Sequence, residues 1–274
     1  MKIILSESQL NIIQKALKEN EELEVNADDV NLSSFKPKDR LTSKLWDGTH
    51  LNSQIRLHLL DIADEFFNSL LLNTDIIDVR LTGSCCNYNW SEFSDIDLHI
   101  LIDFSTIDVD DDFIRDYLKT KTREWNNAHD TLSIHGMTVE VYVEDINDTT
   151  VSKGIYSLNK DKWVSIPKSI DIDITSMEIT EDLREAAAEL MTMIDDLKVR
   201  MEENKDNIVI LRDILNCVNF LIKQVHALRE QGLESEGGEM SPQNISYKIL
   251  RREGYLDLLY NMGDELYDIV NSIE

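Results

Sequence analysis

The chain has 274 residues, 42% of them hydrophobic, with nine glycines and three prolines in no long tract, a composition that supports a folded core and excludes collagenous, low-complexity and extensively disordered classes. Its formal net charge of −26 argues against long DNA or RNA as the main partner, because a phosphate backbone is bound by clustered Lys and Arg. The plain consequence of such acidity is a soluble, self-repelling surface.

In chain order, Ser6-Glu7-Ser8-Gln9 has the form of a capping box, and Leu10, Ile13, Ala16 and Leu17 follow at helical spacing. MKIILSESQL turns polar too soon for a signal peptide, and nowhere do about eighteen apolar residues run together, so no membrane segment is expected. The stretch from Glu21 to Lys44 is polar and reads as a long connection or mobile arm. Between Leu51 and Leu72, the residues Ile55, Leu59, Ile62, Phe66 and Leu70 recur every three or four positions and predict a helix with one buried face.

Ile76 to Leu81 has the content of a short strand, Gly83-Ser84 breaks it, and Ile96 to Ile102 supplies a second strand. Phe113 to Asn126 reads as a helix, and His135 to Val143, "HGMTVEVYV", alternates as a third strand. "GIYSLNKDKWVSIP" predicts a further strand or hairpin ending at Pro167. Beyond Thr180 the pattern is nearly all helix: Leu183 to Glu202, Ile208 to Gln231, Pro242 to Arg252 and Tyr255 to Ile273. The expected class is α+β, a mixed sheet flanked by helices and followed by an all-helical C-terminal bundle. The expected divisions are 1–44 (helix and polar arm), 45–175 (sheet domain) and 176–274 (helical domain).

Alternation along 96–102 places Asp95, Asp97 and His99 on one face, and along the third strand it places Thr138, Glu140, Tyr142 and Glu144 on one face. Two neighbouring carboxylates repel unless a cation lies between them, and a hard divalent ion with oxygen ligands is the usual resolution. Glu140, flanked by Val139 and Val141, is explained if it shares that ion. Gly83-Ser84 lies where a strand ends, so its backbone N–H groups and the serine hydroxyl can take phosphate oxygens.

"LTGSCCNYNWSEFSDIDLHIL" followed by "TVEVYV" resembles the signature of the DNA polymerase β-type nucleotidyltransferase superfamily: a Gly-Ser turn, Asp-x-Asp on the next strand and a lone acid on a later one. The resemblance covers residues 75–145 in motif and the neighbouring segments in arrangement. It implies that Gly83 and Ser84 hold the triphosphate of an NTP, that Asp95 and Asp97 ligate two magnesium ions (manganese being the alternative), and that Glu140 binds the catalytic ion beside the attacking hydroxyl. The implied reaction moves a nucleoside monophosphate to a hydroxyl of a small molecule, another nucleotide or a protein side chain and releases pyrophosphate. The competing reading is an idle nucleotide-binding or protein-interaction module that keeps the fold. The chain departs from many relatives in having no Lys or Arg between Gly83-Ser84 and the aspartates, which leaves Lys153, Lys160, Lys162 and Lys223 as candidates to balance phosphate charge.

Other features have blander readings. Asp171 and Asp173 in "SIDIDIT" repeat the Asp-x-Asp pattern with no Gly-Ser turn before them and read as linker. Asp108 to Asp112 lacks an EF-hand's ligand spacing and reads as a helix N-terminus. Trp46, Tyr156 and Trp163 read as packing residues, and His99 as a structural hydrogen-bonding group. Cys85, Cys86 and Cys217 show neither a disulfide framework nor zinc spacing, which fits a reducing cytoplasm.

Overall fold

The structure, a computed structural model, describes residues 25–148, 152–168, 180–235 and 237–272. The chain divides into two compact units, Ser34–Asp173 and Met1–Ser33 with Ile174–Glu274. The predicted helix at 6–17 and the Asp171/Asp173 repeat lie outside the described residues.

In the first unit a short hairpin, β1 (Trp46–Asp47) and β2 (His50–Leu51), leads into helix α1 (Ser53–Ser69). Asn52 caps α1, its side chain accepting hydrogen bonds from the N–H groups of Gln54 and Ile55. Then follow β3 (Asp78–Thr82), β4 (Ile96–Ile102), helix α2 (Asp111–Ala128), β5 (Ser133–Ile134), β6 (Met137–Asp145), β7 (Ile155–Ser157) and β8 (Lys162–Ser165). The sheet order is β5-β6-β4-β3-β7-β8, with β4 and β6 parallel and the other neighbours antiparallel. The α+β expectation for this unit is met.

The alternation seen in the sequence divides the sheet into two unlike faces. Val79, Leu81, Ile96, Leu98, Ile100, Val139 and Val141 are buried in one core with Ile55, Leu59, Ile62 and Phe66 of α1 and Ile114 and Leu118 of α2. The other face carries Asp78, Arg80, Thr82, Asp97, His99, Glu140, Tyr142 and Glu144. Burying a large apolar side chain contributes about 1.5–3 kcal/mol, so the helix-covered face holds the sheet together and leaves the polar face to chemistry.

Helix α2 also completes β6. Asn126 donates to the Val141 carbonyl at 3.1 Å and accepts from the Val141 N–H at 3.0 Å, pairing backbone groups that point away from β4. Asp110 caps α2 and Asp111 and Asp112 occupy its first turn, so the acidic run at 108–112 is a helix N-terminus.

Several boundaries differ from the sequence reading. The third strand begins at Met137, because His135 and Gly136 adopt φ of 51° and 73° in the turn that joins β5 to β6. The first strand runs Asp78–Thr82 instead of 76–81. Residues 25–44 are packed instead of forming an arm: Val30, Leu32, Phe35 and Leu41 are buried. Phe35 lies in the 3-10 turn Ser33–Phe35 and the other three lie outside it and outside the turn Ala27–Asp29, and this irregular spacing hides them from a periodicity argument.

The second unit contains α3 (Thr180–Glu203), α4 (Ile208–Glu234), α5 (Pro242–Arg252) and α6 (Tyr255–Asn271). Its core includes Ala187, Ile194, Ile214, Val218, Ile245, Leu259 and Leu266. Asn207 and Ser241 cap α4 and α5, and Pro242 sits in the first turn of α5, where its missing N–H is not needed. The Val25 N–H donates to Thr192 Oγ1 at 2.9 Å, tying the preceding segment to α3. Among the described residues no helix is long and apolar enough to cross a membrane.

Candidate metal centre

The polar face of the sheet brings three acids together. Asp97 on β4 is registered beside Glu140 on β6, with Thr82 of β3 on its other side, and Asp95 stands just before β4. Ligand oxygens of Asp95, Asp97 and Glu140 all lie within 4.8 Å of one another, and all three residues are half-buried. Such a set of hard oxygen donors can hold a divalent cation, which would also relieve the repulsion among them.

Gly83 follows β3 with φ 71° and ψ −162°, a conformation open in practice only to glycine. Its missing side chain matters as much as its backbone. A β-carbon there would stand 1.7 Å from Asp97 Oδ2 and 2.8 Å from Asp97 Cγ. The turn and the carboxylate are therefore built against each other. Ser84 donates its hydroxyl to Ser94 Oγ at 2.8 Å, and Ser94 Oγ also accepts from the Ser91 N–H at 2.9 Å. This ties the Gly-Ser turn to the residue preceding Asp95.

The turn is supported from below and beside. Cys85 and Cys86 are fully buried, with Cys85 Sγ bonded to the Thr82 carbonyl at 3.2 Å, and burial pushes the Cys86 thiol well up. They are packing groups and not nucleophiles. Trp46 Nε1 donates to the Cys85 carbonyl at 2.9 Å, and Trp46 stacks on Trp163 and meets Tyr156 edge-on, so the three aromatics are structural. Asn87 Nδ2 reaches the Gly83 carbonyl at 2.6 Å and Ser152 Oγ at 3.3 Å.

Two further groups organise the acids' face. Tyr142 donates its hydroxyl to Glu140 Oε2 in a short hydrogen bond, and its ring stacks on His99 with centroids 5.0 Å apart. Burial, then the bond to Glu140, pushes the Tyr142 phenol far up, so it stays a donor. His99 Nδ1 lies 2.8 Å from Glu144 Oε1, which is the structural role expected of it. On β3, the buried Asp78 accepts from Ser157 Oγ at 2.6 Å and pairs with Arg80 Nε at 3.0 Å. Alternation placed Tyr142 on this face, but only the coordinates show its hydroxyl reaching back two residues to Glu140.

Lysines occur on segments that neighbour the Gly-Ser turn, although none stands between the Gly-Ser pair and the aspartates in the sequence. Ser152 and Gly154 press on the turn, a β-carbon on Gly154 lying 2.0 Å from the Cys86 carbonyl oxygen, and the exposed Lys153 lies between them in the chain. From the other direction the Lys38 N–H donates to the Tyr88 carbonyl at 2.7 Å, and Lys38 Nζ lies 5.5 Å from the Trp90 ring centre. Lys153 is one of the four lysines the sequence offers for phosphate charge, and Lys38 lies in the segment read as a connection or arm. Lys160 sits in the β7–β8 turn and Lys162 on β8, while Lys223 belongs to α4 of the helical unit. No protein-family profile matches the chain, and no curated protein sequence matches it.

Proposed function

We propose that the chain is a nucleotidyltransferase of the DNA polymerase β type, moving a nucleoside monophosphate from an NTP to a hydroxyl acceptor with release of pyrophosphate. The observation that carries this reading is the convergence of Asp95, Asp97 and Glu140 within 4.8 Å beside a Gly83 that only glycine can occupy. Asp95, Asp97 and Glu140 would hold magnesium or manganese, which when bound supplies charge neutralisation at the phosphates and a lower pKa for the attacking hydroxyl. Gly83 lets the backbone approach the triphosphate closely, and Ser84 would donate its N–H, and its O–H once turned from Ser94, to the phosphate oxygens. Lys153, Lys160, Lys162 and Lys38 are the candidates in the sheet unit to balance phosphate charge. Glu140, at the far side of Asp97 from Thr82, marks where the acceptor hydroxyl would lie. The net charge of −26 favours a small molecule, a nucleotide or a protein side chain as acceptor over a long polynucleotide.

Incubating the full chain with magnesium or manganese and each of four labelled NTPs tests the reading. The expected result is pyrophosphate release with label transferred to an acceptor or to the protein itself, abolished by Asp95→Ala with Asp97→Ala. NTP binding without turnover, across all four bases and a broad acceptor panel, would replace the enzyme with an idle nucleotide-binding module.

A further inference from the structure

We propose that Tyr142 is a positioning residue for the metal centre, fixing the Glu140 carboxylate so that it meets the cation already oriented; the inference rests on the metal-centre reading above. A glutamate side chain has three rotatable bonds before its carboxylate, and Glu140 sits on β6 with valines on both sides, which hold its backbone but not its carboxylate. Tyr142 supplies the missing constraint. Its hydroxyl donates to Glu140 Oε2, which occupies one oxygen and leaves the carboxylate's other oxygen for a ligand.

The tyrosine is itself held. Its ring stacks on His99 at 5.0 Å with planes 26° apart, and His99 is fixed by Glu144 at 2.8 Å. The series Glu144, His99, Tyr142, Glu140 thus crosses from β6 to β4 and back, tying the rotamer of the third acid to β4, the strand that carries Asp97, as well as to its own. Outer partners of this kind orient the groups that touch a metal, and their removal typically weakens binding about 10- to 100-fold. A tyrosine suits the task because it donates a hydrogen bond without adding a fourth negative charge to the three already there.

The test is Mn2+ binding to the full chain, followed by calorimetry and by the loss of the free-ion paramagnetic signal, for the wild type, Tyr142→Phe, Glu140→Gln and the double variant. Phenylalanine keeps the ring against His99, so the circular dichroism should match the wild type and the metal-free melting midpoint should fall by no more than one lost hydrogen bond accounts for. The expected result is a Kd about tenfold higher for Tyr142→Phe, and no further weakening when the same change is made in the Glu140→Gln background, because Tyr142 acts through Glu140. Wild-type affinity in Tyr142→Phe, or a loss of the same size in both backgrounds, would overturn the positioning role while leaving the metal centre intact. A wild-type chain that took up no Mn2+ would instead remove the metal centre, and this inference with it.

Discussion

A β-carbon at residue 83 would stand 1.7 Å from an oxygen of Asp97, and no backbone region suited to other residues is available there, with φ at 71°. Gly83→Ala is therefore expected to act twice. The backbone conformation alone costs about 1–3 kcal/mol, and the clash turns the Asp97 carboxylate away from Asp95 and Glu140. Thermal melting should show the first effect and Mn2+ titration the second. An alanine variant that melts lower yet binds Mn2+ normally would mean that the turn and the carboxylate are independent. At this scale much of the site was legible in the sequence. A glycine between a strand and a loop and acids at two-residue spacing mark one face of a strand, because β-structure alternates by geometry. The short bond from Tyr142 to Glu140 was not legible, since sharing a face does not determine a rotamer.

Elements show where sequence reasoning stops and why. The helices read well because their apolar positions repeat with a period no other structure shares, and Pro242–Arg252 was expected and found with the same bounds. Strand pairing is different: the register that seats Asp97 beside Glu140 joins segments separated by a whole helix, and nothing local encodes it. Part of the structure around that register is the Asn126 amide, which closes both free backbone groups of Val141, the residue after Glu140. Asn126→Ala should cost about 2 kcal/mol, two hydrogen bonds at roughly 1 kcal/mol each, and should speed amide exchange at Val141. Unchanged exchange there would deny α2 this role.

The β7–β8 hairpin carries its own pH signature. Burial, and then the hydrogen bond to Asp161 at 2.8 Å, push the Tyr156 phenol up to about 12, against about 10 for an unfolded tyrosine. The folded chain holds this proton more tightly than the unfolded one, so the contribution to stability is complete below pH ~10 and is lost as pH rises through about 12. The difference in melting midpoint between wild type and Tyr156→Phe should be constant from pH 7 to ~10 and shrink above it. A difference that stayed flat to pH ~12 would contradict this account of the hairpin.

For the whole molecule, charge is the dominant fact. A net −26 spread over 274 residues repels itself, and the repulsion is screened as the Debye length falls from ~30 Å at 0.01 M salt to ~8 Å at 0.15 M. Raising monovalent salt over that range should raise the melting midpoint; a midpoint that fell or held still would show that attractive pairs outweigh the excess acid.

The account depends on one ion held by three carboxylates, and anomalous diffraction at the manganese edge tests it most directly, from crystals grown with Mn2+ and a nonhydrolysable NTP. The predicted result is a peak ~2.1–2.6 Å from oxygens of Asp95, Asp97 and Glu140, with the nucleotide's phosphates against Gly83 and Ser84. A nucleotide bound elsewhere, or a Glu140 carboxylate turned from Asp97 with no peak between them, would contradict it.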